Sequence, residues 1–248
     1  MIKIERIILI TGSDSGIGKY MAKRYLENGD HVIITGYNEN HINETKKELS
    51  KYNDKTTFIK VDVTEEKSII NMFNLIKEKY GYIDVLINNA AFDKMDSIVS
   101  YSYENFEKIV KTNLIGKMFC IKYSVKLLKK SKYPTILNIS SRLATKPMLD
   151  SSAYCCSAAG IVMLTKCAAL ELSEENIRVN TISPSLTITT LSLKSYTQDE
   201  MKEVSDKSLR KRLCEMEDIY NLSEFLISKK SDYINGENIN LNGGILLK

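Results

Sequence analysis

Residues 6–18 read Arg6-Ile7-Ile8-Leu9-Ile10-Thr11-Gly12-Ser13-Asp14-Ser15-Gly16-Ile17-Gly18, an apolar run of strand length that passes straight into a cluster of three glycines. Immediately afterwards the apolar residues fall at helical spacing, which predicts a helix over 17–28. A strand, a glycine turn and a helix in direct succession let the backbone turn tightly and approach a diphosphate, whose charge then sits at the helix N-terminus. Taken alone, Gly12, Gly16 and Gly18 serve equally well to close a tight turn. The residues that end the later strands favour a ligand.

Outward from this turn, apolar runs alternate with amphipathic stretches. Strands are expected at 6–10, 31–35, 57–61, 85–88, 135–140, 178–183 and 238–241, and helices at 17–28, 41–52, 65–80, 103–131, 153–173 and 215–228. Ile69, Met72, Phe73 and Ile76 show the helical spacing well. Such alternation predicts an α/β fold, a Rossmann-like, doubly wound, seven-stranded parallel sheet with helices on both faces. No linker or repeat divides the 248 residues, so a single domain is expected. The segment 185–212, after Pro184, is polar and without a clear period, and reads as an irregular substrate lid.

Composition narrows the class of partner. With 43% hydrophobic and 27% charged residues the chain is a globular protein rather than a disordered one. Its net charge of +4 comes from interspersed residues, which leaves no basic stripe for nucleic acid. Five cysteines without CxxC spacing read as reduced, packed thiols, and no metal site is expected. The start, MIKIERIILITG, has no small-residue cleavage site, and no stretch reads as a membrane span, so a cytoplasmic protein is expected.

Polar residues stand at successive strand ends: Asp62-Val63 after the third and Asn88-Asn89-Ala90 at the fourth. In an open parallel sheet that edge is where ligands bind. Together with the glycine turn, these motifs resemble the short-chain dehydrogenase/reductase family, in its compact branch that includes acyl-carrier ketoreductases and hydroxysteroid dehydrogenases. Thr11 to Gly18 matches TGxxxGIG, Asp62 the adenine-side aspartate, Asn88 to Ala90 NNAG, and Asn113 to Gly116 NxxG. Ile139-Ser140-Ser141 matches the serine motif, Tyr154 the tyrosine, Arg178-Val179-Asn180 the RVN strand and Asn242-Gly243-Gly244 the terminal DGG.

The resemblance implies a nicotinamide dinucleotide held by Gly12, Ser13, Ser15, Gly16, Ile17, Gly18, Tyr37, Asn38, Asp62, Val63, Asn89, Ala90, Pro184 and Thr189. It implies catalysis by Tyr154 as proton donor, Ser141 as the group that orients the carbonyl, and Asn113 behind a proton relay. The second strand ends in Thr35-Gly36-Tyr37-Asn38, with no acid to bond a ribose 2′-hydroxyl, and this leans weakly to NADP(H) over NAD(H). A homodimer or homotetramer through the long helices is also implied, with a small carbonyl or alcohol compound as substrate.

Four family positions depart: Ala91 stands for the glycine of NNAG, Ser185 for the glycine after Pro184, Asn242 for the terminal aspartate, and the fourth bears on the chemistry. The motif YxxxK reads Tyr154-Cys155-Cys156-Ser157-Ala158, so Ala158 stands where the lysine belongs. An unperturbed tyrosine has a pKa of about 10, and at neutral pH roughly one molecule in a thousand carries the phenolate needed for alcohol oxidation. Reduction suffers less, because there the tyrosine acts as an acid. Lys166 lies about 18 Å further along the helix, and Lys146 sits in the loop before Tyr154. Three readings therefore stand open: an impaired ketone reductase, a nucleotide-binding relative without catalysis that senses or partners, and a non-redox lyase or dehydratase on the same scaffold.

Overall fold

The structure, a computed structural model, describes residues 5–247. The reading of Met1 to Ile4 as an untargeted start lies outside the described residues. Seven strands form one parallel sheet: β1 (Ile7–Ile10), β2 (His31–Gly36), β3 (Thr56–Lys60), β4 (Val85–Asn88), β5 (Thr135–Ile139), β6 (Arg178–Pro184) and β7 (Asn238–Leu241). Their order is β3-β2-β1-β4-β5-β6-β7, so the chain reverses direction across the sheet between β1 and β4. A crevice opens at that switch point, beyond the C-terminal ends of the strands.

Both faces are covered, which is why the strands read as continuous apolar runs. Ile8 and Ile10 of β1 join one core with Met21 and Tyr25 of α1 (Gly16–Glu27) and Ile219 of α9 (Met216–Leu226). Ile7 and Leu9 point the other way, to Met72 and Ile76 of α3 (Glu66–Tyr80) and Cys120 of α5 (Gly116–Leu128). The remaining helices are α2 (Glu39–Glu48), α4 (Tyr103–Val110), α6 (Ser152–Glu171), α7 (Thr190–Ser195) and α8 (Gln198–Lys207).

Every expected strand is present to within a residue, but four expectations need correction. The helix expected over 103–131 is interrupted by a π-helical turn at Lys111–Ile115, which hydrophobic spacing cannot reveal. The lid is not irregular: α7 and α8 each open with a capping box, Thr189 with Ser192 and Thr197 with Glu200. The Thr197-x-x-Glu200 pattern was the available signal. Finally, α6 is long and apolar enough to cross a membrane by length and composition. Here its face of Ala153, Ser157, Ala158, Ile161, Thr165 and Ala168 is buried, and Thr165 Oγ1 lies 2.5 Å from Thr181 Oγ1 of β6. Packing of the thiols is also mixed, since Cys120 is buried while Cys156 and Cys167 are exposed.

Candidate active site

A cavity of about 920 Å³ lies along the switch point, floored by the turn between β1 and α1. Gly12 and Gly16 adopt φ of +62° and +52°, the left-handed region that disfavours side chains. A Cβ on Gly12 would also stand 2.8 Å from Ala90 Cα, so the glycine loop and the end of β4 touch through bare backbone. Asn89 locks the contact: its Nδ2 donates to the carbonyls of Thr11 at 3.0 Å and Gly12 at 2.8 Å. Thr11 Oγ1 in turn accepts from the amides of Asn89 and Ala90. Ser15 is the N-cap of α1, yet its side chain makes no capping bond and the first turn holds no acid. The first amides of α1 therefore face the cavity without a capping side chain, the arrangement that receives an anion.

Not every residue of that turn reaches the cavity. Ser13 is buried away from it, donating from Oγ to Ile10 O at 2.7 Å and accepting from Thr35 N at 2.9 Å. It fastens β1 to β2 and does not line the site. Gly18 does not line it either; a Cβ there would lie 2.4 Å from Gly12 O and 2.5 Å from Asn89 Nδ2, so it sets how closely α1 packs on the loop. The other expected residues, Gly12, Ser15, Gly16, Ile17, Tyr37, Asn38, Asp62, Val63, Asn89, Ala90, Pro184 and Thr189, all line the cavity. Thr189 approaches Gly16 from the lid side, 3.7 Å from where its Cβ would be.

An acid unforeseen in the sequence sits at the end of β2. Asp14 folds back over Gly36, where a Cβ would come within 2.2 Å of its Oδ2, and it lies 4.0 Å from His41 Nδ1. Burial raises its pKa, while bonds from its own backbone amide and that of Asn38 work the other way. Tyr37, 70% exposed, forms the rim beside it.

At the opposite end of the cavity stand Ser141, Tyr154 and Asn113. Ser141 follows β5 and caps a short 3₁₀ turn, its Oγ accepting from Leu143 N at 3.2 Å. Tyr154 comes from the first turn of α6. Burial pushes its phenol well above the usual range, Asp93 and Tyr196 add to the effect, and a hydrogen bond with the Ser141 side chain opposes it. Asn113, in the π-helical turn, is fixed by Phe92: Oδ1 accepts from its amide at 2.8 Å and Nδ2 donates to its carbonyl at 2.9 Å. The same Nδ2 reaches Ser157 Oγ at 3.3 Å, joining the turn to α6.

Further groups on this wall escaped the sequence reading. Asp93 keeps one buried carboxylate oxygen without a partner among the described residues, and burial raises its pKa. Arg142 is buried beside Ser141, and Tyr196, at the end of α7, lines the same cavity. Ala158 is 2% exposed at the cavity wall, and its carbonyl accepts from Ser140 Oγ at 2.9 Å. Lys117 is also 2% exposed and lines the cavity, whereas Lys146 and Lys166 are exposed and do not.

Comparison with known proteins agrees with the fold. The family profile described as Enoyl-(Acyl carrier protein) reductase matches residues 12–246. An uncharacterized oxidoreductase of Thermotoga maritima is 32% identical over 98% of this chain and 96% of its own. The 3-oxoacyl-[acyl-carrier-protein] reductase FabG of Rickettsia bellii is 30% identical over 96% of both chains. Among solved structures, ElxO with NADP bound superposes with a TM-score of 0.91 at 29% identity, covering 99% of this chain and 100% of that one.

Proposed function

The chain belongs to the short-chain dehydrogenase/reductase family of NAD(P)-dependent oxidoreductases acting on alcohols and ketones, and from that premise we propose that it reduces a polar ketone. The observation that carries the reading is the meeting of Tyr154, Ser141 and Asn113 on one wall of a cavity whose floor is an uncapped glycine turn. When bound, the dinucleotide supplies a hydride. The amides of Gly16 and Ile17 would hold its diphosphate, Asp62 and Val63 its adenine side, and Ala90, Pro184 and Thr189 its nicotinamide side.

Tyr154 donates the proton to the nascent alkoxide, Ser141 orients the carbonyl, and Asn113 supports the relay that reprotonates the phenol. Asp93 and Arg142 put a carboxylate and a cation beside them, a wall suited to a polar compound. Ala158 takes the place of the family lysine, so charge that would lower the Tyr154 pKa is missing from α6. Ketone reduction uses the protonated phenol, which is the form this site holds. Exposed Met163 and Leu170 on α6 support a homo-oligomer through that helix.

Oxidation of NADPH in the presence of a ketone panel tests the reading, and its pH profile gives a sign. A phenol held above its usual range stays protonated through neutral and mildly alkaline pH. At saturating dinucleotide, ketone reduction should therefore stay level up to about pH 9, while oxidation of the matching alcohol climbs throughout that interval. Reduction that falls as pH rises from 7 to 9, or no turnover with any ketone, contradicts the assignment.

For the dinucleotide we retain NADP(H) as the weakly preferred form. The absence of an acid in 35–38 and the NADP bound to the ElxO relative support it. Asp14 keeps the preference small, since a carboxylate at the end of β2 repels a 2′-phosphate. Asp14→Ser should raise NADPH affinity relative to NADH about tenfold, read by fluorescence titration. An unchanged ratio removes Asp14 from this task.

A further inference from the structure

One buried ionisable side chain has no part in the reading above. Lys117 belongs to the first turn of α5, within the apolar stretch Gly116 to Ile121, and is 2% exposed. Its Nζ donates to the carbonyls of Asn88 at 3.0 Å and Ala90 at 2.8 Å, the end of β4 that also grips the glycine loop. An ammonium has three donors, and these two bonds use two of them. Among the described residues no carboxylate acts on it, and the titratable group beside it is the buried Cys120 thiol one turn on.

Burying an ammonium without a carboxylate is costly, and an apolar residue would pack this helix better. Burial accordingly pulls the lysine down to about 7. Lys117 also stands four residues after Asn113 and lines the same cavity as Tyr154, Ser157 and Ala158. Small Ala158 brings no charge of its own to that wall.

We propose that Lys117 is the positioning cation of this site, supplying from α5 the ribose anchor that a lysine at position 158 would supply from α6. Its remaining N–H serves the hydroxyls of the nicotinamide ribose, while the Tyr154 phenol stays under the control of burial, Asp93 and Tyr196. The proposal rests on the reductase reading, because it presupposes a dinucleotide in the cavity.

Calorimetric titration with NADPH and with ADP, which lacks the nicotinamide ribose, tests it. Lys117→Met should weaken NADPH binding about tenfold, the loss of one bond from a charged donor, and leave ADP binding unchanged. Adding Ala158→Lys to that variant should restore most of the NADPH affinity. Equal affinity of wild type and Lys117→Met for NADPH overturns the proposal, as does parallel weakening of both ligands, which would make the lysine a support of the backbone. Should Lys117→Met fail to fold, Ala158→Lys alone decides: no gain in NADPH affinity is expected, because the place is already served, and a gain of about tenfold overturns the idea. Wild type that binds ADP but not NADPH, or neither, would instead bring down the reductase reading itself.

Discussion

Tyr154→Phe is expected to lower the rate of ketone reduction about a thousandfold, the upper part of what a positioned general acid contributes. The ring volume is kept, so α6 should pack as before, and only the hydroxyl beside Ser141 is lost. Affinity for NADPH should be unchanged, since the glycine turn that binds it lies at the other end of the cavity. Single-turnover oxidation of NADPH with the best ketone measures the first quantity and fluorescence titration the second. A loss under about tenfold would mean that another group, such as Tyr196, delivers the proton.

Gly18→Ala should damage both folding and dinucleotide binding. The new Cβ would meet Gly12 O at 2.4 Å, Asn89 Nδ2 at 2.5 Å and Ser13 Cα at 2.9 Å, two of them backbone atoms that cannot swing aside. Helix α1 must then back away from the loop, carrying its first amides out of reach of a diphosphate. Overpacking of this kind costs about 1–3 kcal/mol of stability, seen as a lower denaturant midpoint. Dinucleotide affinity should fall at least about a hundredfold, because the amides of α1 are displaced together. A variant that binds NADPH normally would show that α1 does not hold the diphosphate.

Strands were legible because a sheet covered on both faces demands uninterrupted apolar runs, and Ile7 to Ile10 supply one that feeds both cores. Most cavity residues were legible for a related reason: strand ends are short, polar and close in sequence to the strands that aim them. Asp14 and Ser13 were misjudged because adjacent residues in a tight turn point in opposite directions, one to the end of β2 and the other between strands. Lys117 escaped notice because a lone lysine in a helix is ordinarily solvated. Only its spacing from Asn113, read with the absence of lysine at 158, could have drawn attention to it. Asp93 and Arg142 follow motif residues but belong to none, and their contacts with the site are tertiary.

The wide turn at Lys111–Ile115 has a bearing on how this chain tolerates length changes. One residue more or less in a helix rotates everything beyond it by about 100° around the axis. Upstream of the turn Ile109 is buried, and downstream Lys117 and Cys120 are buried too, a phasing that the surplus residue makes compatible. Insertions and deletions therefore have no neutral position between Tyr103 and Leu128, although this stretch is among the longest between strands and looks, by length alone, the most forgiving.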